Sequence, residues 1–308
     1  EKTDIASHQN AIHLQLKEGT DTVLLAGLMS AAIAEGAAAA AKGLDALKKS
    51  LVTVDQAASG SGVTAEQIAN AAKAYAAAKQ PVVVIGTGIS ANEEASLQAL
   101  NLAMLRSAGV LPLMLEANSL GAIQMGCVSA REPGHAKVKK AGKGYVDMKS
   151  GMKALYIAGN VPDSDFKSDF IIVQTSHLTP LAQKADLVLP MAALYEKQGT
   201  IVNTYGMVKA FGQAQSAAGE ARDGVEIASD ISAAVNKTKA LKAKDITAAA
   251  RKVKAGKPGE GSLQSVVAKA AKPYAVSASV VLKAMNQGML ADSGVFKVIV
   301  VKEPALQR

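Results

Sequence analysis

The sequence predicts an α/β protein with a mainly parallel sheet and helices on both of its faces, followed by a Lys/Ala-rich C-terminal tail. Two observations carry this prediction. Short, wholly apolar runs recur along the chain, as expected for strands that are buried on both faces, and helical or loop segments separate them. Hydrophobic residues make up 49% of the 308 residues and charged residues 19%, which is typical of a folded globular protein. The clearest runs are residues 82–85, 154–158, 170–173 and 187–190.

The first part of the chain is predicted to be largely helical. Thr20 is expected to cap the first helix, which runs to Ile33 and is closed by Gly36. Residues 64–67, Thr-Ala-Glu-Gln, resemble a capping box. The predicted elements of this part are a strand at 12–16, helices at 21–33, 37–50, 65–79 and 92–107, and strands at 82–85 and 110–115.

Composition divides the chain into three predicted segments. Residues 1–62 are a strand and helical segment that continues a truncated upstream domain, because the chain opens without Met or a signal peptide. Residues 63–235 form a Rossmann-like α/β domain. Residues 236–308 are a basic helical tail, with glycines and a proline over 256–261 as a flexible link and a terminal strand at 295–301.

The net charge of +8 is concentrated near the C-terminus. Eight basic residues and one acid, Asp245, lie between Lys237 and Lys257. No aromatic side chains are interleaved with them, so a solvated helix face is favoured over nucleic-acid binding, and an acidic protein or lipid surface is the other alternative. No apolar run approaches the ~20 residues of a membrane-spanning helix.

Cysteine and histidine usage excludes several kinds of site. The single cysteine, Cys127, excludes an internal disulfide, a four-cysteine zinc site and a cysteine-ligated iron–sulfur cluster within this chain. We expect Cys127 to be buried and inert, because nothing places a base beside its thiol. The four histidines have no spacing that would put two metal ligands on one face, so no metal site is expected.

One glycine-rich turn could accept a phosphate. The sequence Gly86-Thr87-Gly88-Ile89-Ser90-Ala91 follows an apolar run and opens a helix, which approximates the G-x-G-x-x-G/A turn of nucleotide-binding proteins. A nicotinamide-nucleotide module would use Gly86, Gly88 and Glu116, whereas a tight structural turn is the favoured alternative. The acids Asp169, Asp186 and Glu196 lie near strand ends, where α/β proteins keep their sites, but equally suit caps or surface charges.

Three stretches of the chain carry a family resemblance. The most specific is residues 185–206, which read A-D-L-V-L-P-M-A-A followed by E-K-Q-G-T-I-V-N-T-Y-G. The others are H-L-Q-L-K-E-G-T-D over residues 13–21, where Glu18 stands in place of the usual proline, and residues 118–126 with 153–162. Together they resemble the molybdopterin oxidoreductase superfamily, and most closely the large iron–sulfur subunits of NADH:quinone oxidoreductases, the respiratory complex I enzymes.

This resemblance implies a place for the chain in a larger assembly. The parent would carry [2Fe–2S] and [4Fe–4S] clusters upstream, and this piece would be its C-terminal α/β region, without catalysis of its own. The glycine turns and the loop from Glu196 to Asn203 would maintain the fold and dock neighbouring subunits. The expected partners are other subunits of a respiratory complex on the inner, cytoplasmic face of the cell membrane, without nucleic acid.

The resemblance also implies a cofactor crevice that has degenerated. Members that bind molybdopterin guanine dinucleotide carry Gln-Asp at a strand end, and the Asp holds the guanosine, whereas this chain has Gln174-Thr175. A threonine lacks the charge of that carboxylate, so the guanine would be poorly held. The alternative is a true molybdopterin guanine dinucleotide enzyme, similar to formate dehydrogenase. Its crevice at the strand carboxyl ends would be lined by Gly86, Thr87, Gly88, Gly159, Asn160, Gln174, Thr175 and Thr179.

Overall fold

The structure, a computed structural model, describes residues 4–37, 42–114, 116–161, 165–253 and 263–270. The predicted strand at 295–301 and the predicted link at 256–261 lie outside these residues. The chain divides into two compact units, and unit 1 takes the described residues of Glu1–Leu115 and Lys257–Arg308. Unit 2 takes those of Glu116–Gly256. The predicted division into 1–62, 63–235 and 236–308 cuts the chain elsewhere and stays a prediction.

Unit 1 is mainly helical, as the sequence predicts, and contains one pair of parallel strands. A short 3-10 helix, Ile5–Ser7, precedes its other elements. Its helices are α1 (Asp21–Ala34), α2 (Leu44–Lys48), α3 (Val54–Ser61), α4 (Ala65–Ala77), α5 (Thr87–Ser90) and α6 (Glu93–Leu105), and its strands are β1 (Val82–Ile85) and β2 (Gly109–Pro112).

Helix α1 is the central element of unit 1, because it packs against α3, α4 and α6. Small side chains allow the closest of these approaches. A Cβ atom built on Gly27 of α1 would lie 2.1 Å from the Cβ of Ala57 on α3. Ala57 is fully buried, so the two helices meet there without room for a further methyl group.

The strands β1 and β2 pair in parallel, which confirms the predicted pairing of apolar runs in this unit. Val83, Ile85 and Val110 pack on α6. The expectation that β1 is buried on both faces is wrong, because Val82 and Val84 are 50% and 53% exposed. Alternate side chains of a strand point to opposite faces, and the described residues cover only the face towards α6.

Local hydrogen bonds explain the helix starts in unit 1. The predicted capping box at Thr64 is confirmed, since its hydroxyl accepts from the Gln67 amide at 3.2 Å and the Gln67 side chain accepts from the Thr64 amide at 3.2 Å. Thr20 precedes α1 as predicted, but its hydroxyl donates to the Lys17 carbonyl at 2.6 Å instead of capping the helix.

The predicted strand at 12–16 is wrong, because these residues form neither strand nor helix. The alternation of Leu14 and Leu16 that predicted it reflects packing against a helical cluster that includes Leu24, Ala57 and Ile68. Of the predicted helix 37–50, the structure has α2 only, and residues 38–41 are not described.

Unit 2 contains a parallel three-stranded sheet, an antiparallel hairpin and short helices. The parallel order β3-β4-β5 confirms the prediction for the three downstream apolar runs, whereas the hairpin was not predicted. Its strands are β3 (Leu155–Ala158), β4 (Ile171–Thr175), β5 (Leu187–Pro190), β6 (Gly199–Val202) and β7 (Val208–Phe211). Its α-helices are α7 (Ser119–Gln124), α8 (Tyr145–Met148), α9 (Pro180–Lys184), α10 (Gly224–Asn236) and α11 (Ala243–Lys252). Two 3-10 helices, Pro133–His135 and Leu194–Glu196, complete the unit.

The core of unit 2 lies on one face of the parallel sheet. Leu155, Ile157, Ile171 and Val173 project to this face and pack against Leu181 of α9. On the opposite face Tyr156 and Leu187 stay 39% and 43% exposed.

Helix α11 carries part of the basic stretch. Its residues Lys244, Arg251 and Lys252 are exposed, as expected for a solvated helix face. None of the helices that the structure describes is both long enough and apolar enough to cross a bilayer.

The contact between α1 and α3 generates a test of unit 1. We predict that Gly27→Ala lowers the free energy of unfolding by about 1–3 kcal/mol, because the added methyl group overpacks the interface. The double variant Gly27→Ala/Ala57→Gly removes the opposing methyl group and recovers most of this loss. Urea denaturation followed by circular dichroism measures both effects, and a Gly27→Ala protein as stable as the original chain would contradict the packing.

Candidate functional site

The carboxyl ends of β3 and β4 bring several predicted site residues together. In a parallel sheet these ends share one edge, where α/β proteins bind ligands. The Gly159 amide continues the ladder and donates to the Gln174 carbonyl at 2.8 Å. Gly159 has a φ of +92° with open space around a built Cβ, so its backbone conformation requires glycine. Asn160, Gln174 and Thr175 stand beside it.

Thr175 occupies the position where the family resemblance expects an aspartate. It is only 4% exposed, and its hydroxyl lies 3.0 Å from Asn160 Oδ1 and 3.1 Å from the His177 carbonyl. The same oxygen accepts from the His177 amide at 3.3 Å. Nearby groups of the chain itself therefore satisfy the hydrogen-bonding capacity of this hydroxyl.

Gln174 is bonded within the unit in the same way. Its Oε1 accepts from the Tyr156 hydroxyl, and its Nε2 lies 3.3 Å from the Gly224 carbonyl and 3.2 Å from Met191 Sδ. Burial raises the pKa of Tyr156 above its ordinary value, because removal from water disfavours the phenolate. Tyr156 was not among the predicted site residues. The strand register could have indicated it: Ala158 pairs with Gln174, and Tyr156 lies two residues before Ala158, so Tyr156 and Gln174 are diagonal neighbours on the same face of the sheet.

A cavity of about 560 Å³ lies at this edge of the sheet. Gly159 and Gln174 form one wall, α10 another, and residues 238–246 a third. Its charged lining side chains are Lys197 and Lys239, and no acid is among the described residues that line it. The cavity therefore has a positive character. Lys197 belongs to the motif at 185–206 and Lys239 to the basic stretch, but neither pattern predicted that the two lysines line one cavity.

Thr179 acts as a helix cap in this structure. Its hydroxyl accepts from the Ala182 amide at 3.1 Å at the start of α9, where Pro180 is the first helical residue. This role is local and brings no further side chain to the edge of the sheet.

The glycine-rich turn lies in unit 1, between β1 and α5. Gly86 has a φ of −76°, and a Cβ built on Gly86 or Gly88 would meet nothing within 4 Å among the described residues. Thr87 begins α5, which has four residues. Neither backbone conformation nor crowding by the described residues explains these two glycines.

Two of the other acids singled out in the sequence lie at the opposite, amino edge of the parallel sheet. Asp186 accepts from the Ile171 amide at 2.7 Å, and the Asp169 amide donates to the Met152 carbonyl at 3.2 Å, both at the amino end of the strands. The strand-end interpretation is wrong for these two, because ligands of parallel sheets bind at the other edge. Glu196 accepts from the Ala193 amide at 2.9 Å, and Glu116 is exposed in unit 2.

Cys127 lies at the surface of unit 2. The expectation that Cys127 is buried is wrong, because the residue is exposed. Its neighbours Gly126 and Val128 belong to an irregular segment after α7 that does not cover it. In the part of the chain that the structure describes, no three His, Cys, Asp or Glu residues are grouped so that they could hold a metal ion.

The second half of the most specific motif, residues 196–206, contains β6 and the turn that leads into β7. Asn203 Oδ1 accepts from the amides of Tyr205 and Met207 at 3.1 and 3.0 Å, and Gly206 takes the left-handed φ of +79° that closes the turn. Asn118 Oδ1 accepts from the Val202 amide at 2.9 Å and ties β6 to the start of α7. These motif residues therefore organise the backbone.

The bond between Tyr156 and Gln174 generates a stability prediction. We expect Tyr156→Phe and Gln174→Met each to cost about 1–2 kcal/mol of unfolding free energy, with a coupling of about 1 kcal/mol in the double variant. Because the folded pKa of Tyr156 lies above its ordinary 10.0, its contribution is present below that pH and is lost as pH rises through the folded pKa.

Urea denaturation near pH 8 and near pH 11 measures both parts of this prediction. The original chain should lose more stability than Tyr156→Phe between these pH values. Tyr195→Phe, at a tyrosine that is 67% exposed, is the control and should behave like the original chain. Additive effects of the two variants would contradict the bond.

The chain is similar in sequence to proteins of one known family. The family model described as "Molybdopterin oxidoreductase" matches residues 2–234. The G subunit of NADH-quinone oxidoreductase from Rickettsia typhi is 37% identical over 84 residues, which cover 27% of this chain and 12% of that protein. F420-dependent formate dehydrogenase subunit alpha of Methanocaldococcus jannaschii is 33% identical over 135 residues, which cover 34% of this chain and 20% of that protein. The matches thus span a fifth or less of these relatives.

The fold has a solved counterpart. Acetylene hydratase from Pelobacter acetylenicus superposes with a TM-score of 0.50 at 16% sequence identity, over 72% of this chain and 40% of that one. This likeness concerns the fold alone. The family model, in contrast, spans both the helical unit and the strand edge with its hairpin motif. The chain therefore belongs to the molybdopterin oxidoreductase family.

Proposed function

We propose that the chain is the C-terminal, molybdopterin-oxidoreductase-like domain of an NADH:quinone oxidoreductase subunit. Its role is structural and supports assembly of an electron-transfer complex whose redox centres lie outside this chain. One observation carries the proposal: the polar side chains at the carboxyl edge of the parallel sheet bond to one another and to the adjacent backbone. Thr175 and Gln174, which are 4% and 3% exposed, are both engaged in this way.

The residues present do not fit the guanine end of a molybdopterin guanine dinucleotide. The position from which the resemblance expects a carboxylate holds Thr175, and a hydroxyl cannot supply the charge-assisted acceptor for a guanine N–H pair. No acid among the described lining residues replaces it. A guanine would also have to displace the bonds of Thr175 to Asn160 and His177, which would leave buried polar groups unpaired.

Iron–sulfur chemistry would likewise depend on other parts of the parent protein. Each [2Fe–2S] or [4Fe–4S] cluster requires several cysteine ligands, and this chain has one cysteine. We infer that the [2Fe–2S] and [4Fe–4S] clusters are held upstream.

The partners in this proposal are the other subunits of a respiratory complex at the inner, cytoplasmic face of the cell membrane. Support comes from relatives in Rickettsia and Rhizobium meliloti that are named as G subunits of NADH-quinone oxidoreductases. The exposed basic residues Lys244, Arg251 and Lys252 of α11 offer a positive surface to acidic neighbouring subunits. Cross-links from these side chains to acidic subunits in the assembled complex are the expected result.

A second candidate function is a true molybdopterin guanine dinucleotide enzyme similar to formate dehydrogenase. Two observations favour it. The formate dehydrogenase alpha subunit matches over 135 residues, and Gly86 and Gly88 have open space where a ligand could approach the backbone. The metal and pterin contents of the assembled protein separate the two candidates.

Metal and pterin analysis tests the proposed function. The parent protein is purified from its own cells as the assembled complex, and iron, molybdenum, tungsten and pterin are counted in one sample. We expect iron with other subunits of the complex, and molybdenum, tungsten and pterin far below one per chain. A molybdenum enzyme from the same cells is the control for metal supply. Stoichiometric molybdenum or tungsten with a guanine dinucleotide would overturn the proposal in favour of the second candidate.

A further inference from the structure

The packing of a C-terminal segment on the helices of unit 1 supports an inference that is independent of the proposed function. Residues 263–270, here called the return segment, lie outside the region that the family model matches and pack on the first unit of the chain. The segment forms neither helix nor strand. We propose that unit 1 contains a groove for an extended peptide, and that the return segment is its ligand.

Buried amide side chains of α6 bind the backbone of the return segment. Asn101 Oδ1 accepts from the Gln264 amide at 3.0 Å, and Asn101 Nδ2 donates to the Gln264 carbonyl at 2.9 Å. The N–H and the C=O group of Gln264 are thus both bonded to the Asn101 side chain. In a β-sheet, a neighbouring strand would provide these two hydrogen bonds. With the segment in place Asn101 is 1% exposed, and its Nδ2 also lies 3.3 Å from Gln98 Oε1, so the buried amide is fully engaged.

Further contacts extend along the segment. Gln98 Nε2 lies 3.4 Å from the Val266 carbonyl, and Ser50 Oγ accepts from the Val266 amide at 3.3 Å. Thr22 Oγ1 donates to the Lys269 carbonyl at 2.6 Å, and the Leu263 amide donates to the Lys42 carbonyl at 2.9 Å. These bonds bind the main chain and do not select side chains.

The selective contacts are made by two apolar side chains and one charge. Leu263 is 3% exposed in a cluster with Met29, Leu47, Leu102 and Leu105. Val266 is 5% exposed, whereas its neighbour Val267 is 67% exposed. Lys269 Nζ lies 3.0 Å from Glu94. The groove therefore selects an apolar residue, a second apolar residue three positions later, and a basic residue three positions after that.

The shape of unit 1 also matches a closely approaching backbone. Gly43 has a φ of +88°, and a Cβ built there would lie 2.3 Å from the Leu263 carbonyl oxygen. The contacts of Glu94, Gln98 and Asn101 fall on one face of α6 and meet residues 269, 266 and 264 in that order, so the segment runs antiparallel to the helix.

A nicked full-length chain tests the groove directly. A protease recognition sequence replaces residues 255–261, the folded protein is cut there, and retention of the C-terminal fragment is followed by gel filtration. We expect the original fragment to stay bound and Val266→Asp to accelerate its release about 100-fold, because a charge replaces a buried apolar group. Val267→Asp is the matched control and should release at the original rate. Equal release from Val266→Asp and Val267→Asp would overturn the proposal.

Two further measurements sharpen the result. Asn101→Leu should accelerate amide exchange of Gln264 and Val266 about tenfold, while Asn70→Leu, at an exposed position of α4, leaves it unchanged. If Asn101→Leu fails to fold, the comparison of Val266→Asp with Val267→Asp still decides. If the uncut chain elutes as a dimer in gel filtration and Val266→Asp converts it to a monomer, the segment serves a second copy, which would overturn its assignment to the same chain.

Discussion

Buried polar groups must find hydrogen-bond partners, and this constraint organises both units of the protein. In unit 1 the amides of Gln98 and Asn101, which are 0% and 1% exposed, find theirs in the backbone of residues 264 and 266. In unit 2 Gln174 and Thr175 find theirs in Tyr156, Asn160 and nearby main-chain groups. Each group left unpaired would cost about 1–3 kcal/mol, a large fraction of the stability of an ordinary domain.

In our proposal, the same constraint lets the chain keep its fold without a guanine nucleotide at the end of β4. A carboxylate at the end of β4 would need a charge-assisted partner, whereas the hydroxyl of Thr175 is satisfied by a neighbouring amide oxygen and the backbone. Asn203 and Gly206 of the motif at 185–206 shape the turn between β6 and β7 through contacts within the chain.

Local patterns in the sequence were sufficient where the physical cause is local. The apolar runs at 82–85 and 187–190 became parallel strands, and Thr64 with Gln67 formed the expected box. The strand at 12–16 failed because alternating leucines also suit a segment that packs across helices. Cys127 was expected to be buried because no base lies beside its thiol, but the absence of a base does not decide whether a side chain is buried.

Features that depend on distant residues had no such signal. Asn101 and Gln264 are 163 residues apart in the sequence. The pattern of apolar and polar residues along a helix does not predict which amide side chain will bind the backbone of a distant segment. At the candidate site the sequence identified Gly159, Gln174 and Thr175, but not that their polar atoms are engaged by Tyr156 and Asn160. The family resemblance indicated that Thr175 stands where an aspartate is expected, and the structure showed that its hydroxyl is bonded to groups of the same chain.

Our proposal is that the strand-end groups of unit 2 are satisfied from within and hold no guanine nucleotide. The decisive experiment is titration of the isotope-labelled chain with guanosine diphosphate, followed by nuclear magnetic resonance of backbone and side-chain amides. We expect no saturable shift of Gly159, Asn160, Gln174 or Thr175. Saturable shifts confined to these residues, with the Gln174 side-chain amide among them, would contradict it.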